Sequence, residues 1–523
     1  MEYSAENSGL KWRKPNLKPI ETERSAVGKG KEVNHYKDGD GEEEALSPVA
    51  RLFHEPNFNV YIIAIMGCKT PIKPHIIKAN LVHTLLKHPR FSSLLVVEDK
   101  NSKEMKWVRT KVDLDKHVII PKLDEITIDS PDKFVEDYIS NLSKTTISKS
   151  QPLWDVHLLN IKTADAESIG VLRIHHSLGD GTSLMSLLLA CTRQISNPEA
   201  LPTIPTTIRN KKQEQETDFK GKLWRYVMAV LWAIKLFWNS IVDAFMFLAT
   251  TAFLKDTDTP LKGPPGVEFT PRRFVWRTVS LEDFKLVKNA LNTTINDVAL
   301  GVTQAGLSLY LSRKYDEIRN NDKEATQMKN NLPKNIRLRA TLLVNIRPAT
   351  GIQALADMME KDTKAKWGNW LGYVLLPFKI AIRDDPLDYV LEAKAIADRK
   401  KHSLESIFTF SISELVLKLF GTKTANALSH RSIDHTTMCF SNLAGPQEEI
   451  GFYGHPLAFL APSSFNQPHA LMINFQSYAD KMSIVLSVDE STIPDPHQLI
   501  HDIVESIKLI KDAVLSRGLA KDK

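Results

Sequence analysis

Cysteine is scarce in this chain: Cys68, Cys191 and Cys439 are the only three in 523 residues. They are far apart and odd in number, which argues against a disulfide framework and for a reducing compartment. Lysines and arginines are spread out with no interleaved aromatic platform, and the formal net charge is only +6. Nucleic acid is therefore not expected as a partner. The segment Met1–Trp12 is polar and lacks an apolar core, so no secretory signal is expected and the chemistry should face the cytosol. No internal repeat is visible.

What the chain does have is His175-His176-Ser177-Leu178-Gly179-Asp180-Gly181. Apolar Val171, Leu172 and Ile174 precede it, and an amphipathic segment from Ser183 to Ile195 follows, so the pattern is strand, short turn, helix. A histidine at a strand end can reach into a cleft, and its ordinary pKa near neutrality suits a general base. Asp180 can hold the turn or a cation, and Gly179 and Gly181 are expected to supply backbone angles that other residues resist. Adjacent strand residues point to opposite faces, so His175 and His176 are not expected at the same reacting atom, and His175 is assigned a supporting hydrogen bond. No carboxylate or third histidine sits at ligand spacing, so no metal is expected.

Period-two apolar runs predict strands at Val60–Met66, Phe91–Glu98, Lys106–Val112, Trp154–Ile161, Ile169–Ile174, Arg273–Ser280, Leu342–Ile346, Thr437–Asn442, Leu471–Ser477 and Met482–Val488. Trp154–Ile161 and Ile169–Ile174 should form the hairpin that delivers the histidines. Helical spacing predicts helices at Pro74–Lys87, Phe134–Leu142, Leu281–Ala290, Asn296–Leu311 and His497–Leu515. Arg319–Asn335 is charged and Asn-rich, as in a mobile surface loop.

Leu223–Leu254 stands apart as a long apolar stretch carrying Trp224, Trp232 and Trp238. Lys235, Asn239 and Asp243 recur every fourth residue and would form one narrow polar stripe on a helix. A transmembrane span, a buried core helix and an interfacial or re-entrant helix pair all compete. The charges penalise the span, and the tryptophans and stripe favour the interface.

The motif has the form HHxxxDG and resembles the acyltransferase signature of the chloramphenicol acetyltransferase-like superfamily. Leu46-Ser47-Pro48, Pro152-Leu153-Trp154, Asn296-Asp297-Val298, Gly368-Asn369 with Leu376-Pro377, and Ser441-Asn442-Leu443-Ala444-Gly445-Pro446 narrow the similarity to the wax ester synthase/diacylglycerol acyltransferases, especially the plant members. The resemblance implies an α/β fold of two chloramphenicol acetyltransferase-like domains with a tunnel between them. The expected division is a disordered head over 1–44, a first domain over 45–200 and a connector with the apolar region over 201–265. A second domain over 266–515 and a tail over 516–523 complete it.

It further implies transfer of a long-chain acyl group from acyl-CoA to a long-chain fatty alcohol, with diacylglycerol as secondary acceptor. The alternatives are predominant diacylglycerol acylation or a non-catalytic acyl-binding relative. Phenolic or amine acceptors would call for a DFGWG pattern, which the chain does not show. Acyl-CoA is a substrate, and no cofactor is implied. Membrane lipid is an expected partner, at the cytosolic face of the endoplasmic reticulum or, as an alternative, at the plasma membrane. In the resembled family the second histidine is the base, which assigns that role to His176. Asp180 there usually pairs with an arginine, which favours a structural role over a triad role. Arg347 at a strand end is the candidate partner, though an exposed strand-end arginine fits as well. Gly181 is assigned to the turn. Ser441 and Asn442 are candidate oxyanion donors, against plain turn chemistry, and Asn296 a candidate tunnel residue, against a plain helix cap.

Overall fold

The computed structural model describes residues 44–98, 104–122, 128–205, 219–321, 332–347 and 367–519. Nearly all of the expected head, and most of the expected Arg319–Asn335 loop, lie outside the described residues.

The hairpin that carries the motif forms, with Trp154 opposite Ile174 and Leu159 opposite Ile169. On its other side Ser168–His175 pairs with Tyr61–Cys68, which places Tyr61 opposite His175. The motif therefore leaves the middle of a seven-stranded sheet. Its order is Val118–Ile119, Trp154–Leu159, Ser168–His175, Tyr61–Cys68, His455–Phe465, Ile450–Phe452 and Thr192–Gln194. A second sheet has six strands in the order Leu371–Phe378, Leu338–Asn345, Met438–Leu443, Leu471–Tyr478, Lys481–Asp489 and Arg272–Ser280. Each sheet buries its own apolar set, with Ile63, Val171 and Leu187 in the first and Val298, Ile473 and Ile503 in the second.

His455–Phe465 has no counterpart in the sequence pattern, because Pro456 and Pro462 interrupt what would mark a strand. It pairs along Tyr61–Cys68. The carbonyl of Pro462 is taken by the Asn474 side chain at 2.8 Å, so the side of the backbone that lacks an N–H is turned away from the ladder. The second half of the chain thus lends strands to the sheet of the first. Helices Pro386–Lys401 and Glu405–Asp434 and strand Leu371–Phe378 are likewise absent from the sequence pattern.

The apolar stretch is one continuous helix, Phe219–Ala252, and not a helix pair. It is the only helix among the described residues that is long and apolar enough to cross a membrane. Two members of its polar stripe face the protein. Asn239 donates to the carbonyl of His402 at 3.0 Å, and Asp243 pairs with Arg399 and Lys400, each at 2.9 Å. The physical reason is local: the last turn of Pro386–Lys401 presents free carbonyls and cations that need partners. Lys235, Trp224, Trp232, Trp238 and Phe245 stay exposed. At the far end Arg339 donates to the carbonyl of Leu254 at 2.8 Å and pairs with Asp256 at 2.6 Å, which fastens the helix to the second sheet.

Candidate active site

His175 closes its strand and turns its ring into the protein. Its Nδ1 meets Ser177 Oγ at 2.7 Å and its Nε2 meets Asn59 Oδ1 at 2.9 Å. The ring of His54 stacks on it at 4.5 Å, and Tyr61 meets it edge-on at 5.0 Å. With both nitrogens engaged, and burial holding its pKa well below the usual histidine value, it has no free lone pair to offer a substrate.

His176 opens a single 3₁₀ turn, His176–Leu178, and its ring stacks on Phe53 at 4.4 Å. Its Nδ1 is sealed from solvent and unbonded, whereas Nε2 is not sealed and has no partner among the described residues. Burial lowers its pKa to about 4, so the ring is neutral at ordinary pH; the Asn369 side chain works against that depression. Asn369 Nδ2 donates to the carbonyl of His176 at 3.0 Å. The Asn369 Oδ1 is itself sealed and unpaired.

Asp180 is 0% exposed and N-caps helix Gly181–Ala190, its Oδ1 accepting from the Ser183 amide at 2.9 Å. Its Oδ2 accepts from Arg347 and, at 3.3 Å, from the Trp370 amide. Arg347 also donates to Ser183 Oγ at 2.8 Å and to the Gly368 carbonyl at 2.6 Å. This ion pair ties the motif to the segments that flank residues 348–366. Asp180 makes no bond to either motif histidine, so its geometry is not that of a triad.

The glycines work differently from expectation. Gly179 has φ 172°, ordinary extended backbone, and a Cβ there would lie 3.2 Å from the Trp367 ring, a tight approach at which the ring must give by a few tenths of an ångström. Gly181 is the first residue of the helix and not a turn residue; a Cβ there would meet Leu443 at an ordinary 3.6 Å.

Ser441 and Asn442 separate. Side chains alternate along Met438–Leu443, so Ser441 shares a face with Leu443, which touches the motif at Gly181. Asn442 points the other way and donates to Asn296 Oδ1 at 3.2 Å. Asn296 is not a cap: Thr294 and Asp297 form the reciprocal capping pair of helix Ile295–Asn321, at 3.0 and 3.2 Å. Asn59, Phe53, Trp367 and Asn369 were not marked as site residues by spacing, since none carries a chemical pattern of its own. Only Gly368-Asn369 gave a signal, as part of the resemblance.

A cavity of about 720 Å³, lined by Glu136, Arg273, Trp276, Phe459 and His497 among others, lies elsewhere. Phe459 pairs with Gly67, toward the end of that strand remote from Tyr61 and the motif. No group of three or more His, Cys, Asp or Glu side chains among the described residues could hold a metal ion.

Residues 55–299 match the wax ester synthase/diacylglycerol acyltransferase catalytic domain, and residues 367–511 match the WS/DGAT C-terminal domain. Wax ester synthase/diacylglycerol acyltransferase 11 of Arabidopsis thaliana is 51% identical over 478 residues, covering 91% of this chain and 96% of the relative. Wax ester synthase/diacylglycerol acyltransferase 5 of the same plant is 49% identical over 502 residues, covering 94% and 98%. Among solved structures, the wax ester synthase/diacylglycerol acyltransferase from Marinobacter aquaeolei VT8 superposes with a TM-score of 0.54 at 16% identity. That match covers 91% of this chain and 100% of the other. The condensation domain from Monacolin K polyketide synthase MokA gives 0.50 at 12% identity, covering 91% and 98%.

Proposed function

The chain belongs to the wax ester synthase/diacylglycerol acyltransferase family, and from that premise we propose that it moves a long-chain acyl group from acyl-CoA to a long-chain fatty alcohol, with diacylglycerol as secondary acceptor. The observation that carries the mechanism is the asymmetry of the histidine pair: His175 has both nitrogens engaged, while His176 is neutral with Nε2 free.

His176 Nε2 takes the proton of the acceptor hydroxyl as its oxygen attacks the thioester carbonyl. Ser441, on the motif's side of its strand, is the candidate donor to the developing oxyanion. Collapse of the tetrahedral adduct expels the CoA thiolate, which recovers the proton from the His176 imidazolium. The thioester is already activated, so no acyl-enzyme forms. His175 and the Asp180–Arg347 pair hold the turn.

Both acceptors are lipids, and the exposed apolar side of Phe219–Ala252 suits a bilayer interface. We place the protein on the cytosolic face of the endoplasmic reticulum, with the plasma membrane as the alternative. A competition assay tests the acceptor assignment: membranes carrying the protein receive labelled palmitoyl-CoA with hexadecanol and diacylglycerol together. Label mainly in wax ester is the expected outcome. Label mainly in triacylglycerol would reverse the acceptor ranking, and label in neither would leave a non-catalytic acyl-binding relative.

A further inference from the structure

A second apolar surface lies beside the first. Helix Glu405–Asp434 is broken at Gly421, where φ is 78° and a Cβ would meet nothing within 4 Å. Its first arm is two-faced. Inward, Glu405 accepts from the Leu375 amide at 3.0 Å and Thr409 from the Tyr373 amide at 3.0 Å, so that face lies on strand Leu371–Phe378. Outward, Ile407, Leu415 and Leu419 follow helical spacing and are exposed, joined by Leu404 before the arm and Phe420 at the break. Leu419 and Phe420, at 65% and 64% exposure, are the most exposed large apolar side chains of the arm.

The arm runs alongside the docked half of Phe219–Ala252. The Leu404 amide donates to Ser240 Oγ at 3.0 Å, and Phe408 meets Phe247, which in turn meets Tyr373 of the same strand. The two helices are thus one layer over one strand, and their outer faces look away from it together. On the first helix that outer face includes Ile241, Phe245 and Leu248. The exposed charges on this layer are chiefly basic. Arg225, Lys235, Lys418 and Lys423 are exposed, with Lys418 3.8 Å from the half-exposed Glu414, whereas Asp243 and Glu405 are buried in ion pairs.

We propose that the broken tip Leu419-Phe420, flanked by Lys418 and Lys423, inserts into the same lipid leaflet as Phe219–Ala252, which gives the protein a two-point seat on an anionic bilayer. Exposed apolar side chains at a helix break with cations on both sides match an acyl region beneath anionic headgroups. The proposal rests on the membrane assignment made above for the first helix. It also links the seat to the site, since Phe410 on this arm stacks on Trp370, whose amide donates to Asp180.

The test is flotation of the full chain with phosphatidylcholine vesicles, with and without phosphatidylserine, alongside turnover on detergent-dispersed alcohol as a folding control. Leu419→Glu with Phe420→Glu should keep detergent turnover and lose at least about tenfold in vesicle partitioning. Lys418→Ala with Lys423→Ala should weaken binding only to vesicles that contain phosphatidylserine. If the wild-type chain binds vesicles and the Leu419/Phe420 variant binds equally well, the tip makes no lipid contact and the proposal fails while the first-helix assignment stands. If the wild-type chain floats with neither vesicle, the membrane assignment itself fails. A tip variant that changes oligomeric state without lipid and leaves flotation intact would make the surface a contact between copies, which also overturns the proposal.

Discussion

The motif turn and the Phe219–Ala252 layer make opposite use of polarity. At the turn, Asp180, Arg347, His175 and Asn369 are buried or nearly so, and they are tied together by hydrogen bonds and one ion pair, while His176 Nδ1, Arg347 Nε and Asn369 Oδ1 have no partner. Along the helix, Asn239 and Asp243 are also turned inward and paired, but what remains outside is mainly apolar, with Arg225 and Lys235 as exposed charges. Burying paired polar groups is costly unless their geometry is good, and exposing aromatic side chains to water is unfavourable. The turn meets the first cost with a dense hydrogen-bond network. The exposed apolar side of the helix layer is what the proposed seat on a bilayer would cover.

The sharpest way to break the comparison is to remove the proposed base at the turn. His176→Ala should lower ester formation by roughly 10²–10⁴-fold with the fold intact, as expected for a positioned base. His175→Ala should cost less in turnover and more in stability, because it empties the contacts with Asn59 and Ser177. Equal turnover losses in two well-folded variants would mean that the pair does not divide the work as its hydrogen bonds suggest.

The next largest effect belongs to the network. Asp180→Asn leaves Arg347 buried without its counter-charge, and breaking such a pair costs about 3–5 kcal/mol. A fall in folded yield and in the midpoint of thermal unfolding is expected, with little change in the pH profile of the surviving enzyme. A stable Asp180→Asn protein with turnover reduced by orders of magnitude would instead return Asp180 to a triad role.

The smallest effect tunes the base. Because burial lowers the His176 pKa from 6.5 to about 4, the base is unprotonated above that value. The acid limb of kcat/KM should therefore fall as pH drops through about 4, not through 6.5. Asn369→Asp places a carboxylate beside the ring and favours the imidazolium. The limb should then move upward by about one pH unit or more. A limb that stays fixed in this variant would detach Asn369 from the base.

The motif, its strand–turn–helix setting, the hairpin behind it and the apolar stretch are local features, legible because period, turn residues and composition act over a few neighbours. The proposal of His176 as the reacting histidine came only through the resemblance. Alternation along the strand placed the two histidines on different faces without saying which face held the site. That depends on Asn59 from before the first central strand and Asn369 from the far half, which no spacing brings together. His455–Phe465 stayed hidden because its prolines are tolerated only when their bare side of the backbone faces a partner such as Asn474, and that is a tertiary fact.

What the sequence by itself determined is the chemistry available: one histidine pair, one aspartate, one arginine candidate and one long apolar stretch. What only the tertiary structure decided is direction. It aimed Asp180 at Arg347 and not at either motif histidine, Asn442 at Asn296, and Asn239 and Asp243 of the helix inward. A side chain's direction is set by which distant group most needs a partner once both are buried, and the linear order of residues does not contain that competition.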